Sequence, residues 1–409
     1  MTIDQQHLLG PNSAFCVLPW LHLHSDPTGV ARPCCQSKND DSSIGRIDSA
    51  PVDQLINQPY MQQLRLDMLD GKQHANCSMC WQHERLGIPT ARQDFNRQYG
   101  HHLSDLINST KTDGTIVDFR MRHFDLRFSN ICNFKCRTCN SAFSTQWEQE
   151  DLKHHRAITP KARSDSRLIL EQVVQHIPHL EAAYFAGGEP LITDEHYELL
   201  EEMIRQGRTD IKLSYSTNIS HLRFKGRDLL QLWQRFGSNV TVWASIDHVK
   251  DRAEYIRHGT DWAVVESNMH QVRSLPYINF GTSTVLSVFN YVTLAEMQQY
   301  LINQGIIMQC SQNLIYGMQT PVELTAQVIP THLKAQGTAS ISTLIDSMSA
   351  AGFADPLSQQ LRDAIAYTND RDTWPAQRHA FTETIKLIDS ARSEDFAKTF
   401  PELAEMIEQ

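Results

Sequence analysis

The sequence predicts an α/β chain, a partial (β/α)6 barrel on a parallel sheet, and three observations carry that prediction. From about residue 118 strand-like runs alternate with helical ones, the signature of βα units. Six such runs follow one another, and beyond about residue 319 the strands stop and helical patterns take over.

The strands read in order as "HFDLRFS", with Phe124, Leu126 and Phe128 on one face, then "EAAYFAG", "IKLSYST", "VTVWASID", "INFGTSTVLSV" and "QCSQNLIY". Among the helices, the one after "GGEPLITDEH" is the clearest. Thr193 or Asp194 caps it, Leu199, Leu200, Met203 and Ile204 turn inward, and Gly207 ends it. The segment beyond about 319 reads as short helices, and Ile385, Leu387, Ile388 and Phe396 form its packing stripe or lid. Residues 1 to about 110 differ in composition, being rich in Pro, Asn, Gln and His, and hold one hairpin-like stretch, "WLHLHSDPTGVARPCC", with "DPTG" as its turn.

At 409 residues the chain is long enough for two or three domains. Its 41% hydrophobic and 21% charged residues are globular proportions. The mean hydropathy of −0.41 and the lack of an apolar run near the ~18 residues of a span predict no membrane segment. "MTIDQQHLLGPNSAF" has no basic stretch leading into an apolar one, so neither a secretory signal nor a transit peptide is expected, and the expected location is cytoplasmic. With a net charge of −10 and no Lys/Arg stripe, nothing points to nucleic acid.

Nine cysteines in a reducing compartment argue for metal or cluster ligation rather than disulfides. Three of them, Cys132, Cys136 and Cys139, fall within "NICNFKCRTCN", directly after the first barrel strand. A four-iron, four-sulfur cube takes four ligands and favours soft, anionic thiolates. Three thiolates leave one iron open to chelate the amino and carboxylate groups of a small molecule. The loop sits at the C-terminal end of a barrel strand, where barrel enzymes build their sites.

These residues resemble the radical S-adenosylmethionine enzymes, a family marked by C-x3-C-x2-C after the first strand of a TIM-like partial barrel. "FAGGEPLI" is similar to the family's GGEP motif, and the resemblance implies that Gly187, Gly188 and Glu189 bind the methionine amine. Glycine suits that place because no Cβ blocks a ligand's approach to the main chain. The resemblance further implies cofactor contacts from Ser216, Thr217 and Asn218 in "YSTN", Ser245 and Asp247 in "ASID", and Arg257 in "EYIRHGTDW", which faces the methionine carboxylate; Asn290 follows the fifth strand. Thr138 departs from the family, many of whose members place an aromatic residue before the third cysteine, and Phe134 is an alternative packing residue.

The amino-terminal cysteines follow Cys16-x12-Gly29-x4-Cys34 and then Cys77-x2-Cys80. This spacing resembles the SPASM and twitch extensions, which hold an auxiliary four-iron cluster and usually follow the barrel. The resemblance implies a second [4Fe-4S] cluster on Cys16, Cys34, Cys77 and Cys80; zinc is the rival metal, since C-x2-C pairs serve it equally well. Cys35 competes with Cys34, which is favoured by the Gly-x4-Cys spacing. His22 and His24 are expected on a packed or solvated strand face, and Cys310 in the core.

The organisation expected is therefore an auxiliary iron–sulfur domain over 1–115, a radical core over 116–318 and a C-terminal helical extension over 319–409. The resemblance implies an enzyme that reductively cleaves S-adenosylmethionine to a 5'-deoxyadenosyl radical, which abstracts hydrogen from a peptide or protein substrate. A small metabolite is the second substrate class. A donor such as flavodoxin or ferredoxin would supply the electron. The rival class is a non-catalytic iron–sulfur or zinc protein, against which a methionine pocket argues.

Overall fold

The computed structural model describes residues 5–10, 13–37, 43–85, 90–157, 164–308, 312–353 and 355–408. Cys310 lies outside them. Two compact units are formed, one from residues 1–130, 160–188 and 193–213, the other from 131–159, 189–192 and 214–409.

In the first unit, Asp26 builds the expected turn. Its Oδ1 accepts from the Thr28 amide at 2.9 Å, its carbonyl from the Gly29 amide at 2.9 Å, and its Oδ2 from Arg32 at 2.7 Å. Gly29 takes φ +85°, which a side chain would strain. The turn folds strand His22–Ser25 against Ala31–Arg32. It does more than make a hairpin, because His22–Ser25 also pairs in parallel with His123–Leu126, the strand read as first in the barrel, His22 opposite His123 and Ser25 opposite Leu126. His123–Leu126 in turn pairs in parallel with Ala182–Phe185. All four residues of "HLHS" are buried, as a parallel strand covered on both faces requires. His22 and His24 accordingly belong to a packed face, and nothing in their polar sequence announces it.

The rest of the amino-terminal segment is more helical than its composition suggests, with helices Pro59–Leu69, Ser78–Arg85, Ala91–Tyr99 and Leu103–Asn108. Pro59 starts the first of them, and Thr90 with Gln93 forms a capping box on the third. Arg65 is wholly buried and donates to the carbonyls of Pro19, Ile56 and Gly114 at 2.8–2.9 Å, joining three segments. Helix Asp194–Arg205 forms as expected, with acidic residues in its first turn and Gly207 at φ +71° beyond its end.

The second unit holds parallel strands in the order Lys212–Thr217, Val240–Ser245, Ile278–Leu286, Gln312–Gly317. Val240 lies opposite Ile278 and Gln312 opposite Gly281. Helices Leu229–Phe236, Trp262–Arg273 and Leu294–Asn303 separate these strands, the first two capped by Asp228 and Asp261. All six strands expected from the sequence are present and each leads into helix, so the fold class is the α/β one of a partial (β/α)6 barrel.

The carboxy-terminal helices are not short. Thr331–Ala350 has 20 residues, Asp355–Asn369 has 15 and Trp374–Arg392 has 19. Phe381, Ile385 and Ile388 are buried on the last of these, at the i, i+4, i+7 spacing of an inward stripe, and Phe396 is buried beyond it; Leu387 points outward and is 53% exposed. Among the described residues, no helix is long and apolar enough to cross a membrane.

Candidate functional site

Within the second unit the cysteine loop is tied down on two sides, by side chains at the start of the following helix and by the backbone of residues 256–258. Ser144 caps helix Thr145–Lys153, and its hydroxyl also donates to the Phe134 carbonyl at 2.5 Å. The Cys132 amide donates to Thr145 Oγ1 at 3.3 Å, the Cys139 amide to the Cys136 carbonyl at 3.0 Å, and the Trp147 indole to that same carbonyl at 2.7 Å. On the other side, the amides of Lys135 and Arg137 donate to the carbonyls of His258 and Ile256. Gly259, at φ +107°, allows this approach, since a Cβ there would stand 2.9 Å from the Asn133 carbonyl oxygen.

The three thiols fit a thiolate-bound metal group. The Phe134 amide points at Cys132 Sγ at 3.4 Å, and Arg257 Nη1 lies 3.8 Å from Cys136 Sγ, so donors to sulfur are already in place. Burial pushes all three thiols up, Cys139 to about 12; Cys132 and Cys139 are raised further by Cys136, and Cys136 by Asp247. Nearby Arg257 opposes the shift at Cys136 and Cys139. Left alone they are neutral thiols. A bound cation would turn them into thiolates with release of their protons.

Glu189, at the end of the GGEP motif, is 2% exposed. Its Oε1 accepts from the Leu191 amide at 3.0 Å and from Thr217 Oγ1 at 2.7 Å, and its Oε2 from the Asn218 amide at 2.7 Å. Burial still raises it to about 7, against those bonds and Arg257. A carboxylate offers about four acceptor positions, so one remains for a cationic donor.

Asn218 reaches back to the cysteine loop, its Nδ2 donating to Asn133 Oδ1 at 3.0 Å, while Asn133 Nδ2 donates to Ser220 Oγ at 3.0 Å. Between them Ile219 takes φ +53°, a left-handed conformation that costs a β-branched residue about 1–3 kcal/mol. Its amide is held by Thr217 Oγ1 at 2.9 Å and its carbonyl by Asn268 Nδ2 at 2.8 Å.

Asp247 and Arg257 are paired, Oδ2 to Nε at 2.8 Å, and Asp247 Oδ1 also accepts from the Val285 amide. Arg257 is thereby aimed by Asp247. Asn290 serves the backbone, donating to the Asp247 and Val285 carbonyls. Ser216 and Ser245 are half-buried at the C-terminal ends of their strands. Gly187 and Gly188 belong to the first unit. Gly187 takes φ +123°, and a Cβ on it would sit 3.1 Å from Arg127 Cβ and 3.3 Å from the Ser129 carbonyl oxygen.

Sequence reasoning singled out Glu189, Asn218, Asp247 and Arg257, and these are bonded to one another or to their flanking residues. Asn133, Ser220 and Asn268, not among the residues expected from the sequence, bond to this same stretch. Only Asn133 carried a signal, its place inside the C-x3-C spacing.

In the first unit, Cys16, Cys34, Cys35, Cys77 and Cys80 line one cavity. Cys16 is buried against the backbone near Leu18, Cys77 closes the turn Ala75–Cys77, and Cys80 lies on helix Ser78–Arg85. Burial raises Cys16 and Cys77 to about 12, and the Arg92 guanidinium opposes the shift. Arg92 is fixed by Glu84 at 2.6 and 2.9 Å, by the Phe15 carbonyl at 2.8 Å and by the Trp81 ring at 4.8 Å. Cys34 is half-buried and Cys35 exposed; desolvation raises both thiols, with Cys35, Cys16 and Cys77 adding at Cys34, and Asp125 and Cys80 adding and Arg127 opposing at Cys35. Among the described residues, three metal-ligand atoms come within 4.8 Å of one another only at His101, His102 and Glu181. There Glu181 Oε1 is already shared by His102 at 2.6 Å and Arg122 at 2.7 Å.

Comparison with known proteins matches residues 126–301 to the family model of the radical SAM superfamily and residues 16–81 to that of an iron–sulfur cluster-binding domain, SPASM. Among curated proteins, the tungsten-containing aldehyde ferredoxin oxidoreductase cofactor-modifying protein of Pyrococcus furiosus is 23% identical over 205 residues, 48% of this chain and 52% of that one. The chain thus spans about half the length of the curated relative it matches. Among solved structures, native anSMEcpe with bound AdoMet aligns with a TM-score of 0.38 at 18% identity, over 55% of this chain and 58% of the other. SuiB of Streptococcus suis bound to S-adenosylmethionine aligns with a TM-score of 0.35 at 15% identity, over 64% and 57%. The first family model spans the cysteine loop, the GGEP motif and Arg257, the second spans five cysteines that share a cavity, and the chain therefore carries a radical SAM superfamily domain over residues 126–301 with a SPASM domain ahead of it.

Proposed function

We propose that the chain is an enzyme that binds a [4Fe-4S] cluster on Cys132, Cys136 and Cys139 and S-adenosylmethionine beside it, and uses them to abstract hydrogen from a substrate. The observation that carries this reading is the pairing, in one unit, of a three-thiol loop with donors on its sulfurs and a buried carboxylate with an acceptor position to spare. When bound, the cluster would supply the electron for reductive cleavage of S-adenosylmethionine to the 5'-deoxyadenosyl radical. The protein's own residues bind and orient. Glu189 takes the methionine ammonium, Gly187 and Gly188 leave room at the main chain, and Arg257, aimed by Asp247, holds positive charge beside Cys136. Ser216, Asn218 and Ser245 complete the cofactor contacts.

A second [4Fe-4S] cluster is proposed on Cys16, Cys34, Cys77 and Cys80. What supports a thiolate site there is that the cysteines line one cavity together with Arg92; zinc is the rival metal. The division into 1–115, 116–318 and 319–409 and a cytoplasmic location are part of the same reading, with flavodoxin or ferredoxin as donor. The substrate proposed is a peptide or protein. A small molecule is the second reading, favoured by the cofactor-modifying description of the Pyrococcus furiosus relative.

The test is anaerobic reconstitution with iron and sulfide, followed by dithionite and S-adenosylmethionine, with 5'-deoxyadenosine quantified by chromatography. Formation of 5'-deoxyadenosine is expected. A cluster-loaded chain that makes none with any low-potential reductant is not such an enzyme.

A further inference from the structure

Two residues that alternate with the loop cysteines, Lys135 and Arg137, lead to the same distant stretch of chain. The Arg137 side chain is fully buried, and its Nη2 lies 2.5 Å from both Asp389 Oδ1 and Glu394 Oε2. Its guanidinium stands 3.6 Å from the centre of the Tyr255 ring, and the Tyr255 hydroxyl donates to Asp389 at 2.7 Å. Lys135 pairs with Glu150 at 2.5 Å, and Glu150 is also held by Arg392 at 3.0 Å. Arg392, itself fully buried, stacks 4.6 Å from Trp147, the residue whose indole bonds the Cys136 carbonyl. Glu394 finally binds His258 Nδ1 at 2.6 Å, next to Arg257.

We infer that residues 389–394, where the last long helix ends, form a latch that holds the cysteine loop and the Arg257 segment in their ligating arrangement before metal arrives. Asp389, Glu394, Arg392 and Arg137 are positioning residues, none of them a ligand. Helix Trp374–Arg392 can hold the latch in place because Phe381, Ile385 and Ile388 anchor it in the core. Every bond in the set is buried or half-buried, where a charge deprived of its partner is costly and the geometry is correspondingly sharp. The role assigned to the loop rests on the function proposed above; the mechanical coupling does not.

The test uses the full-length chain carrying Asp389→Asn with Glu394→Gln, with Glu394→Gln alone as the milder variant and Arg137→Lys as the one that keeps the charge but loses the planar fork. Hydrogen exchange is followed by mass spectrometry before and after reconstitution, together with the rate at which an iron chelator bleaches the reconstituted protein and the paramagnetic spectrum with S-adenosylmethionine. The amides of loop residues 132–139 should exchange about ten-fold faster in the double variant, strand Val240–Ser245 should be unchanged, and Arg137→Lys should fall between. Chelator loss should accelerate several-fold in the same order, and the cofactor-induced spectral change should broaden. Loop exchange equal to wild type overturns the latch, and so does an equal rise in loop and strand, which signals general loosening. If the double variant does not fold, Glu394→Gln decides by the same readings. Should even the wild-type loop take up no iron, the functional reading fails while the exchange comparison still decides the latch.

Discussion

The backbone amide of Asn218 donates to Glu189 Oε2 at 2.7 Å, joining the GGEP motif to the end of the following strand. With Thr217 and Leu191 on Oε1, the carboxylate is held by three neutral donors, none of which supplies the positive charge that a buried anion needs. A methionine ammonium is the right partner. Glu189→Gln should weaken S-adenosylmethionine binding by roughly 1.5–3 kcal/mol, measured by titration calorimetry on reconstituted protein, with iron content unchanged. An unaltered dissociation constant would make Glu189 purely structural.

Replacing Cys132, Cys136 and Cys139 together by Ala should lower iron from about eight to about four per chain and abolish the spectral change on adding S-adenosylmethionine. The iron that remains belongs to the amino-terminal thiols. Zinc in place of iron in this variant would reassign that site and leave the loop assignment intact.

Gly187→Ala should destabilise the first unit by about 1–3 kcal/mol, since φ +123° is closed to alanine and its Cβ would press on Arg127 and the Ser129 carbonyl. Urea unfolding of the metal-free chain measures it. Gly207→Ala is the control, having φ +71° but nothing within 4 Å of the added Cβ, so it should cost less.

His248 is buried and accepts from the Val249 amide at 2.8 Å, and burial with nearby Arg252 depresses it to about 3. Its folded pKa lies below its unfolded value near 6.5, so the unfolded chain takes up the proton first as pH falls. The stability it contributes is complete above about 6.5 and is lost on acidification toward 3. His248→Asn should flatten the fall in urea midpoint over that window, and an identical slope in both chains would remove His248 as a source of acid sensitivity.

The local features were legible in the residues alone. Ligand spacing in Cys132, Cys136 and Cys139, the turn chemistry of "DPTG", the six strand runs and the glycines of GGEP each depend on a few adjacent residues, and each is legible without a fold. The family resemblance rested on those same short motifs.

Tertiary structure alone decided the rest. Strand His22–Ser25 pairs with His123–Leu126 across about a hundred residues, and polar "HLHS" becomes a buried strand only because both of its faces are covered. Cys34 and Cys35 are equivalent as letters, and the fold sets them apart by exposure, Cys34 half-buried and Cys35 exposed. Arg137 reads as a solvated charge between two cysteines until Asp389 and Glu394, some 250 positions away, close on it. In each case the deciding energy lies in desolvating a polar group and finding it a partner, and the partner's identity is set by the path of the chain in space, which no window of neighbouring residues contains.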